Sequence, residues 1–213
     1  MRCKVITAVL TVKMQLSDVL DQPLQRILQR GQAEQTINKS RFVAVAENCA
    51  DERAVAMLLR SLAQSHAHAH HLAFAYRVQN PEGQGYITRF HDAGEPSGTA
   101  GKPILQFIEG RDLINVCVGV VRYYGGVNLG TGGLARAYGG TAKMALDAAK
   151  MGPFVEMRQV KLVVEYAQLD GVVRDVGKMG GEVVDKGFGE RVTVVVSVPA
   201  IEIARLQGKY QGR

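Results

Sequence analysis

The chain has 213 residues, 46% of them apolar, and a formal net charge of +6. This length accommodates one large or two small cores, and two modest domains are predicted. The three cysteines are far apart and lack a C-x-x-C spacing, so neither a disulfide framework nor a structural zinc site is indicated, and a reducing cytoplasm is expected. No apolar stretch approaches the roughly 18 residues of a membrane-spanning helix.

The positive charge is concentrated in the first part of the chain. From Val155 onward, nine Lys and Arg residues oppose eight Asp and Glu residues. A basic first domain favours anionic partners such as RNA, although no run of Lys or Arg stands out. Residues 1–28 contain a short apolar run without a cleavage site, and we expect them to form an extension loosely attached to the fold.

Residues 33–47 alternate between apolar and polar side chains, which predicts one or two strands joined near Asn38 and Lys39. Two roles for Lys39 and Arg41 are equally compatible with this position: charges that protect an edge strand, or contacts to phosphate. Residues 51–64 are predicted to form a helix with Asp51 as its N-cap. Its predicted apolar face consists of Ala54, Met57, Leu58 and Leu62.

The histidines that follow recur at every second position, at His66, His68 and His70. Such a row can bind a transition metal, but no cysteine or carboxylate lies at ligand spacing, so ordinary histidines are favoured and no metal or cofactor is predicted. The composition of residues 80–85 indicates a turn, which predicts a hairpin between strands at 72–78 and 86–91.

The segment from Asp92 to Lys150 contains twelve of the 24 glycines. Because glycine costs backbone entropy on folding, this density indicates positive φ angles or close approach by a backbone or ligand, and we expect the segment to form the functional surface. It begins with Asp92, Glu95, Ser97, Thr99 and Lys102 among glycines. A short helix is predicted at 100–108. The Walker phosphate-loop pattern G-x-x-x-x-G-K-[ST] does not fit Gly101-Lys102, because Pro96 stands where the first glycine is needed and Pro103 where Ser or Thr is needed.

A central strand buried on both faces is predicted at 112–124, where the sequence is rich in β-branched residues. The strand ends in Arg122, Tyr123 and Tyr124, where a ligand could stack and form an ion pair. The alternative to ligand binding is that one tyrosine belongs to the core and that Arg122 extends along the surface to reach solvent.

Gly130–Gly133 are predicted to begin a helix that runs to about Ala149, with Thr131 as its N-cap. Free N–H groups at a glycine-rich helix start attract anions, so this is the predicted site for a phosphate-like anion. The apolar face consists of Leu134, Tyr138, Ala142, Ala145 and Ala149. The strict dinucleotide-binding pattern G-x-G-x-x-G is absent.

The sequence Met151-Gly152-Pro153 is predicted to stop this helix and to act as a linker. Beyond it, strands at 155–166, 182–186 and 191–198 and helices at 168–179 and 200–206 follow in the order β-α-β-β-α. This order is that of a split βαβ sandwich without its final strand.

Four sequence blocks resemble those of the YigZ/IMPACT family: KSRF at 39–42, HH at 70–71, DAGEPSGTAGKPIL at 92–105 and VVRYYGGVNLGTGGLARAYGG at 120–140. The resemblance implies an α+β protein of two α/β sandwich domains, preceded by the extension at 1–28. Residues 29–152 would adopt the left-handed βαβ fold of ribosomal proteins and elongation factor G domain IV. Residues 153–213 would form a ferredoxin-like domain similar to elongation factor G domain V.

The resemblance also implies nucleic-acid binding and a part in translation control. Our first hypothesis is therefore an RNA- or ribosome-binding protein without catalytic residues. Its predicted binding residues are Lys39, Arg41, His70, His71, Asp92, Glu95, Ser97, Thr99, Lys102, Arg122, Tyr123, Tyr124, Asn128, Thr131, Gly132, Gly133 and Arg136.

The alternative hypothesis is a small-molecule hydrolase or an enzyme that handles phosphoryl groups, with Asp92 or Glu95 as base. Lys102, Arg122 and Thr131 would then hold the anion. A third hypothesis gives the glycine blocks a purely architectural role.

Overall fold

The computed structural model describes residues 24–80 and 85–211. The chain divides into two compact units between Pro153 and Phe154. Both units contain a sheet covered by helices, which confirms the predicted α+β class with two α/β sandwiches. The assignment of each unit as a domain that folds by itself remains a prediction.

The first unit is built around a five-stranded antiparallel sheet in the order β2-β3-β6-β4-β5. The strands of the first unit are β1 (Gln25–Gln29), β2 (Gly31–Ile37), β3 (Ser40–Asn48), β4 (His71–Gln79), β5 (Tyr86–His91), β6 (Val116–Tyr123) and β7 (Lys150–Pro153). Strands β1 and β7 form a separate two-stranded sheet. The helices of this unit are α1 (Glu52–Ser65), α2 (Gly101–Glu109) and α3 (Gly130–Ala148). Helix α1 covers one face of the sheet, and helices α2 and α3 cover the other.

The central strand β6 is buried on both faces, as its β-branched sequence predicts. Val118 and Val120 pack against α2 and α3, while Cys117 packs on the α1 side. The strand begins at Val116 rather than 112, because the chain turns first, with positive φ angles at Asp112 and Asn115.

Strands β2 and β3 form the hairpin predicted near Asn38 and Lys39. These two residues have φ angles of 46° and 64°. Two positive φ angles in a two-residue loop are typical of a type I′ turn, whose twist matches that of the flanking strands. The turn fixes the register in which Ile37 is paired with Ser40.

Two predictions about the borders of the first unit were wrong. The supposed loose extension ends before residue 28, because Gln25–Gln29 form β1, which pairs with β7 and buries Ile27 in the core. Residues 1–23 lie outside the described part of the chain. The supposed linker at 151–153 belongs to β7, so the connection between the units begins at 154.

Two details of the helices also differ from prediction. Asp51 caps α1 as expected by accepting a hydrogen bond from the Ala54 amide, but Met57 is 66% exposed and Val55 is buried in its place. Thr131 is not an N-cap, because α3 begins at Gly130 and Thr131 lies within its first turn. The helix start therefore carries no side-chain cap.

The second unit contains a three-stranded antiparallel sheet in the order β8-β10-β9. Its elements are β8 (Met157–Val164), α4 (Leu169–Lys178), β9 (Glu182–Phe188), β10 (Val192–Pro199) and α5 (Ile203–Tyr210). This strand order is that of a ferredoxin-like sandwich, and residues 154–211 contain no fourth strand. Within the described ranges, no helix has both the length and the apolar character needed to cross a membrane.

Candidate functional site

A buried ion pair lies on the α2/α3 face of the sheet, between the glycine-rich loop that follows β5 and the end of β6. Glu95 Oε1 accepts hydrogen bonds from Arg122 Nη1 and from the Tyr138 hydroxyl, both at 2.7 Å. The side chains of Glu95 and Arg122 are each only 5% exposed. We call these three residues the sealed cluster.

The strand register explains why Arg122 faces this cluster. Arg122 on β6 lies directly opposite Phe42 on β3 and His71 on β4, and opposite residues in an antiparallel sheet share a face. Phe42 belongs to the core beneath α2 and α3, so Arg122 points there too. Helix α3 contributes Tyr138 from its buried side.

Arg122 has further contacts that hold its guanidinium in place. Nη2 donates to Ser40 Oγ at 3.3 Å, and Cζ lies 5.5 Å from the centre of the Phe42 ring and 5.1 Å from that of Tyr124. The Nε atom is buried and makes no hydrogen bond within the described part of the chain. The guanidinium is therefore built into the fold and is not a free cation at the surface.

Asp92 shapes the loop that carries Glu95. Its carboxylate accepts hydrogen bonds from the amides of Gly98, Ala100 and Gly101 at 2.8 to 3.0 Å. Burial raises the pKa of Asp92, but the three amide donors outweigh this effect, so the pKa is lowered overall. Thr99 adds a bond from Oγ1 to the Pro96 carbonyl at 2.6 Å.

His71 closes the same loop from β4. Its Nδ1 lies 2.9 Å from the Ala93 carbonyl oxygen, which can only accept, so Nδ1 carries a proton. Its Nε2 then lies 3.7 Å from Glu95 Oε1. The neighbouring His70 has a different role, because its Nδ1 accepts a hydrogen bond from the Tyr124 amide at 3.1 Å.

These contacts bear on the alternative hypothesis of a hydrolase. A general base needs a lone pair that can reach substrate, but the Asp92 carboxylate is engaged by three amides and Glu95 is engaged by Arg122 and Tyr138. Burial, and then the contact with Glu95, raises the pKa of Tyr138, which keeps its phenol neutral. The geometry thus gives no support to the predicted base.

Arg41 and Tyr123 lie on the opposite face of the sheet from Arg122. Tyr123 hydrogen-bonds His66 Nδ1 at 2.8 Å, and the Arg41 guanidinium lies 5.3 Å from the centre of its ring. Arg41 also forms a two-pronged ion pair with Glu34 at 2.8 and 2.9 Å. The predicted binding residues Arg41 and Arg122 therefore do not share a surface, because Arg41 is paired with Tyr123 and Arg122 with Phe42, and side chains alternate along a strand.

A second group of predicted residues remains open to solvent around the β2–β3 turn and the start of α3. We call this group the open face; it consists of Lys39, Tyr124, Asn128, Thr131, Gly132, Gly133 and Arg136. All are exposed except Gly133, which is half-buried. The backbone of Lys39 packs so tightly on Gly125 that a Cβ at Gly125 would overlap the Lys39 carbonyl, which brings the turn against the residue after Tyr124.

The two cations of the open face are unpaired. Lys39 and Arg136 form no ion pair with residues 24–80 or 85–211. Arg136 Nη1 lies close to the first turn of α3, 3.5 Å from where a Cβ on Gly132 would stand. Tyr124 is 38% exposed, and its hydroxyl donates to Asn128 Oδ1 at 3.0 Å.

Ser97 and Lys102 lie in the loop and helix start beyond Asp92. Both side chains are exposed, and neither makes a hydrogen bond or ion pair with the residues that the structure describes. The amides of Ala100 and Gly101 at the start of α2 are occupied by Asp92. Lys102 is therefore a solvated charge beside a helix start that is already capped.

The histidine row at 66–70 lies in the turn after α1 and not in a strand. Across the described ranges, no group of three or more His, Cys, Asp or Glu side chains could hold a metal ion. Sequence analysis missed two members of the buried network. Ser40 lies inside the KSRF block, and Tyr138 occupies a helix face that predicts core packing, so neither residue carried a signal of its polar role.

Comparisons with known proteins identify a family whose sequences match the region that contains both groups of residues. The family model described as Impact N-terminal domain matches residues 38–146, which include the sealed cluster and the open face. A relative in Escherichia coli (strain K12), IMPACT family member YigZ, is 34% identical over 173 residues, covering 81% of this chain and 84% of its own. The chain belongs to the IMPACT family.

A second family model matches part of the second unit. Residues 162–209 match the family model described as domain of unknown function DUF1949. A Thermus thermophilus protein, IMPACT family member in pol 5'region, is 43% identical over 137 residues, covering 64% of this chain and 71% of its own. A crystal structure of a hypothetical protein, 32% identical, has a TM-score of 0.67 and covers 87% of this chain and 90% of its own.

Proposed function

We propose that this IMPACT family protein binds RNA through the open face, and that this binding serves the regulation of translation. The observation that carries the proposal is that Lys39 and Arg136 are exposed beside the start of α3 and form no ion pair with any residue that the structure describes. Helix dipole and free amides favour a phosphate at Gly130–Gly133, and Arg136 adds a full charge there. The translational setting rests on the family resemblance.

Tyr124 supplies the second element of RNA recognition. A guanidinium lies beside both tyrosine rings, Arg122 at Tyr124 and Arg41 at Tyr123, but Tyr124 is 38% exposed whereas Tyr123 is half-buried and bonded to His66. Aromatic rings beside a cationic surface bind unpaired bases by stacking, which suits single-stranded segments or loops of structured RNA. Of the two tyrosines predicted from the sequence, we therefore propose Tyr124 as the ring that stacks on a base.

The test is the salt dependence of RNA affinity for the full-length protein. Removing one cation that binds a phosphate should lower the slope of log affinity against log salt by roughly one unit. We expect this for Arg136→Ala and for Lys39→Gly, where glycine suits the positive φ of the turn. Tyr124→Leu should weaken binding by about 1 to 3 kcal/mol without changing the slope.

Arg60→Ala is the matched control, because Arg60 is an exposed arginine on α1, across the sheet from α3. It should keep the salt slope of the wild type. Absence of RNA binding by the wild type at low salt would refute the proposal. Equal slopes for Arg136→Ala and Arg60→Ala would remove the open face as the binding surface.

A further inference from the structure

A groove runs beside α3, between that helix and the β2–β3 hairpin. Its volume is about 310 Å³, at the small end of the range for small-molecule sites. The residues that line it are Gln35, Ile37, Asn38, Leu129, Gly133, Arg136, Ala137, Gly140 and Met144. The groove adjoins the open face, because Asn38 precedes Lys39 and Arg136 belongs to both.

The lining combines an apolar surface with a few polar groups and no acidic side chain. Ile37, Leu129 and Met144 provide the apolar contact, and the Met144 side chain is 42% exposed although it is large and hydrophobic. A polarizable thioether is well suited to contact an aromatic ring. The absence of carboxylates means that nothing in the groove repels an anionic ligand.

The polar groups are placed to recognise the edge of a flat ring. Gln35 Nε2 donates to Thr141 Oγ1 at 2.7 Å and to the Ala137 carbonyl at 3.3 Å, which fixes the orientation of the carboxamide. The Asn38 side chain makes no hydrogen bond within the described ranges, so both its donor and its acceptor are available. Arg136 adds an unpaired positive charge at the rim.

We propose that this groove holds one nucleobase of the bound RNA, with the adjoining phosphate at Arg136. The inference rests on the proposed function and adds a site to it. Charge complementarity favours this occupant. The Arg136 guanidinium has no ion-pair partner in the described part of the chain and can bind the phosphate, while the apolar groove, whose lining has no carboxylate, can hold the attached ring. The volume of the groove is sufficient for a base.

Gly140 allows the groove to be blocked without disturbing the fold. A Cβ at this position would lie 3.6 Å from Gln35 Nε2, an ordinary van der Waals distance. Gly140 lies in the middle of α3, where both alanine and methionine are better helix formers than glycine. Gly140→Met therefore fills the groove from its wall, and Gly140→Ala narrows it slightly.

Gly208→Met is the matched control. Gly208 lies in helix α5 of the second unit, and a Cβ there would meet no atom within 4 Å. The variant makes the same chemical change in a helix that contributes no residue to the groove lining.

The experiment measures, over a series of salt concentrations, the affinity of the full-length protein for three 12-nucleotide strands: oligo-A, oligo-U and an abasic ribose-phosphate strand. The wild type should prefer a base-containing strand to the abasic one. Gly140→Met should reduce that preference at least about fivefold and leave the salt slope unchanged, because the contact with one base is worth a factor of this order. Asn38→Gly, which suits the φ of 46°, should alter the ratio of oligo-A to oligo-U affinity.

The outcomes separate the two proposals. If the wild type binds RNA but Gly140→Met keeps its full preference for bases, the groove does not hold a base, whereas RNA binding by the open face stands. An apolar peptide as the true occupant would give this same unchanged preference. If the wild type binds none of the three strands, both proposals are overturned. An equal loss in Gly208→Met would also remove the groove as the cause.

Discussion

The sealed cluster and the open face both take residues from the sequence block at 120–140, but the charges of the first are paired and those of the second are not. In the sealed cluster, Arg122 is 4% exposed and its charge is matched by Glu95 at 2.7 Å. On the open face, Arg136 and Lys39 are exposed and have no ion-pair partner in the described part of the chain. A charged residue in a family motif is therefore a candidate for binding only when the fold leaves its charge unmatched.

The largest expected effect is a loss of stability when the ion pair of the sealed cluster is broken. Arg122→Met should lower the free energy of unfolding by about 3 to 5 kcal/mol, because it leaves the Glu95 carboxylate buried without its partner. Denaturant titration measures this change. Arg136→Met on the open face should stay within about 0.5 kcal/mol of the wild type, as is usual for exposed positions.

The double variant Glu95→Gln/Arg122→Met sharpens the same test. It removes both charges, so its loss of stability should be smaller than the sum of the two single losses. Additive losses would mean that the two side chains do not interact as a buried pair.

A smaller effect is expected at Asp92, which shapes the loop that carries Glu95. Asp92→Ala should cost about 2 to 4 kcal/mol at neutral pH, because three amides lose a charged acceptor. The pKa of Asp92 is lowered in the folded protein, so its contribution is complete above the unfolded pKa and is lost as pH falls through the folded value.

The difference in stability between wild type and Asp92→Ala should therefore shrink below about pH 4, near the ordinary pKa of an aspartate. Unfolding measured at several pH values checks this. Asp92→Asn serves as the control, since it keeps an acceptor oxygen but cannot titrate. A gap between wild type and Asp92→Ala that stays constant down to about pH 2 would show that the charge of Asp92 contributes nothing.

Most of the fold could be predicted from the sequence because local patterns dominate it. The Asn38-Lys39 turn, the Asp51 cap and the β-branched run of β6 each depend on neighbouring residues. Strand β1 escaped prediction because its partner, β7, lies more than 120 residues away along the chain, and β7 itself resembles a linker in composition. Pairing at such separation leaves no trace in local periodicity.

The sites were harder to predict than the fold, because the role of a charge depends on what lies opposite it. Alternation along β6 guarantees that Arg122 and Tyr123 face opposite sides, but it does not say which side is which. That choice follows from the pairing of Arg122 with Phe42, a tertiary fact. The burial of Glu95 depends likewise on a hydroxyl supplied by Tyr138, 43 residues further along the chain.

The smallest expected effect concerns Arg41, which is exposed like Arg136 but paired like Arg122. Its guanidinium forms a two-pronged ion pair with Glu34 on the neighbouring strand. Because the charge is already matched, Arg41→Ala should leave the salt slope of RNA binding unchanged, whereas Lys39→Gly, two residues away, should lower it. Glu34→Gln would free Arg41 and should tighten binding slightly at low salt. If Arg41→Ala lowered the slope as much as Lys39→Gly does, the ion pair between Arg41 and Glu34 would have to open when RNA binds. Exposure of a cation, and not the lack of an ion-pair partner, would then decide whether it binds RNA.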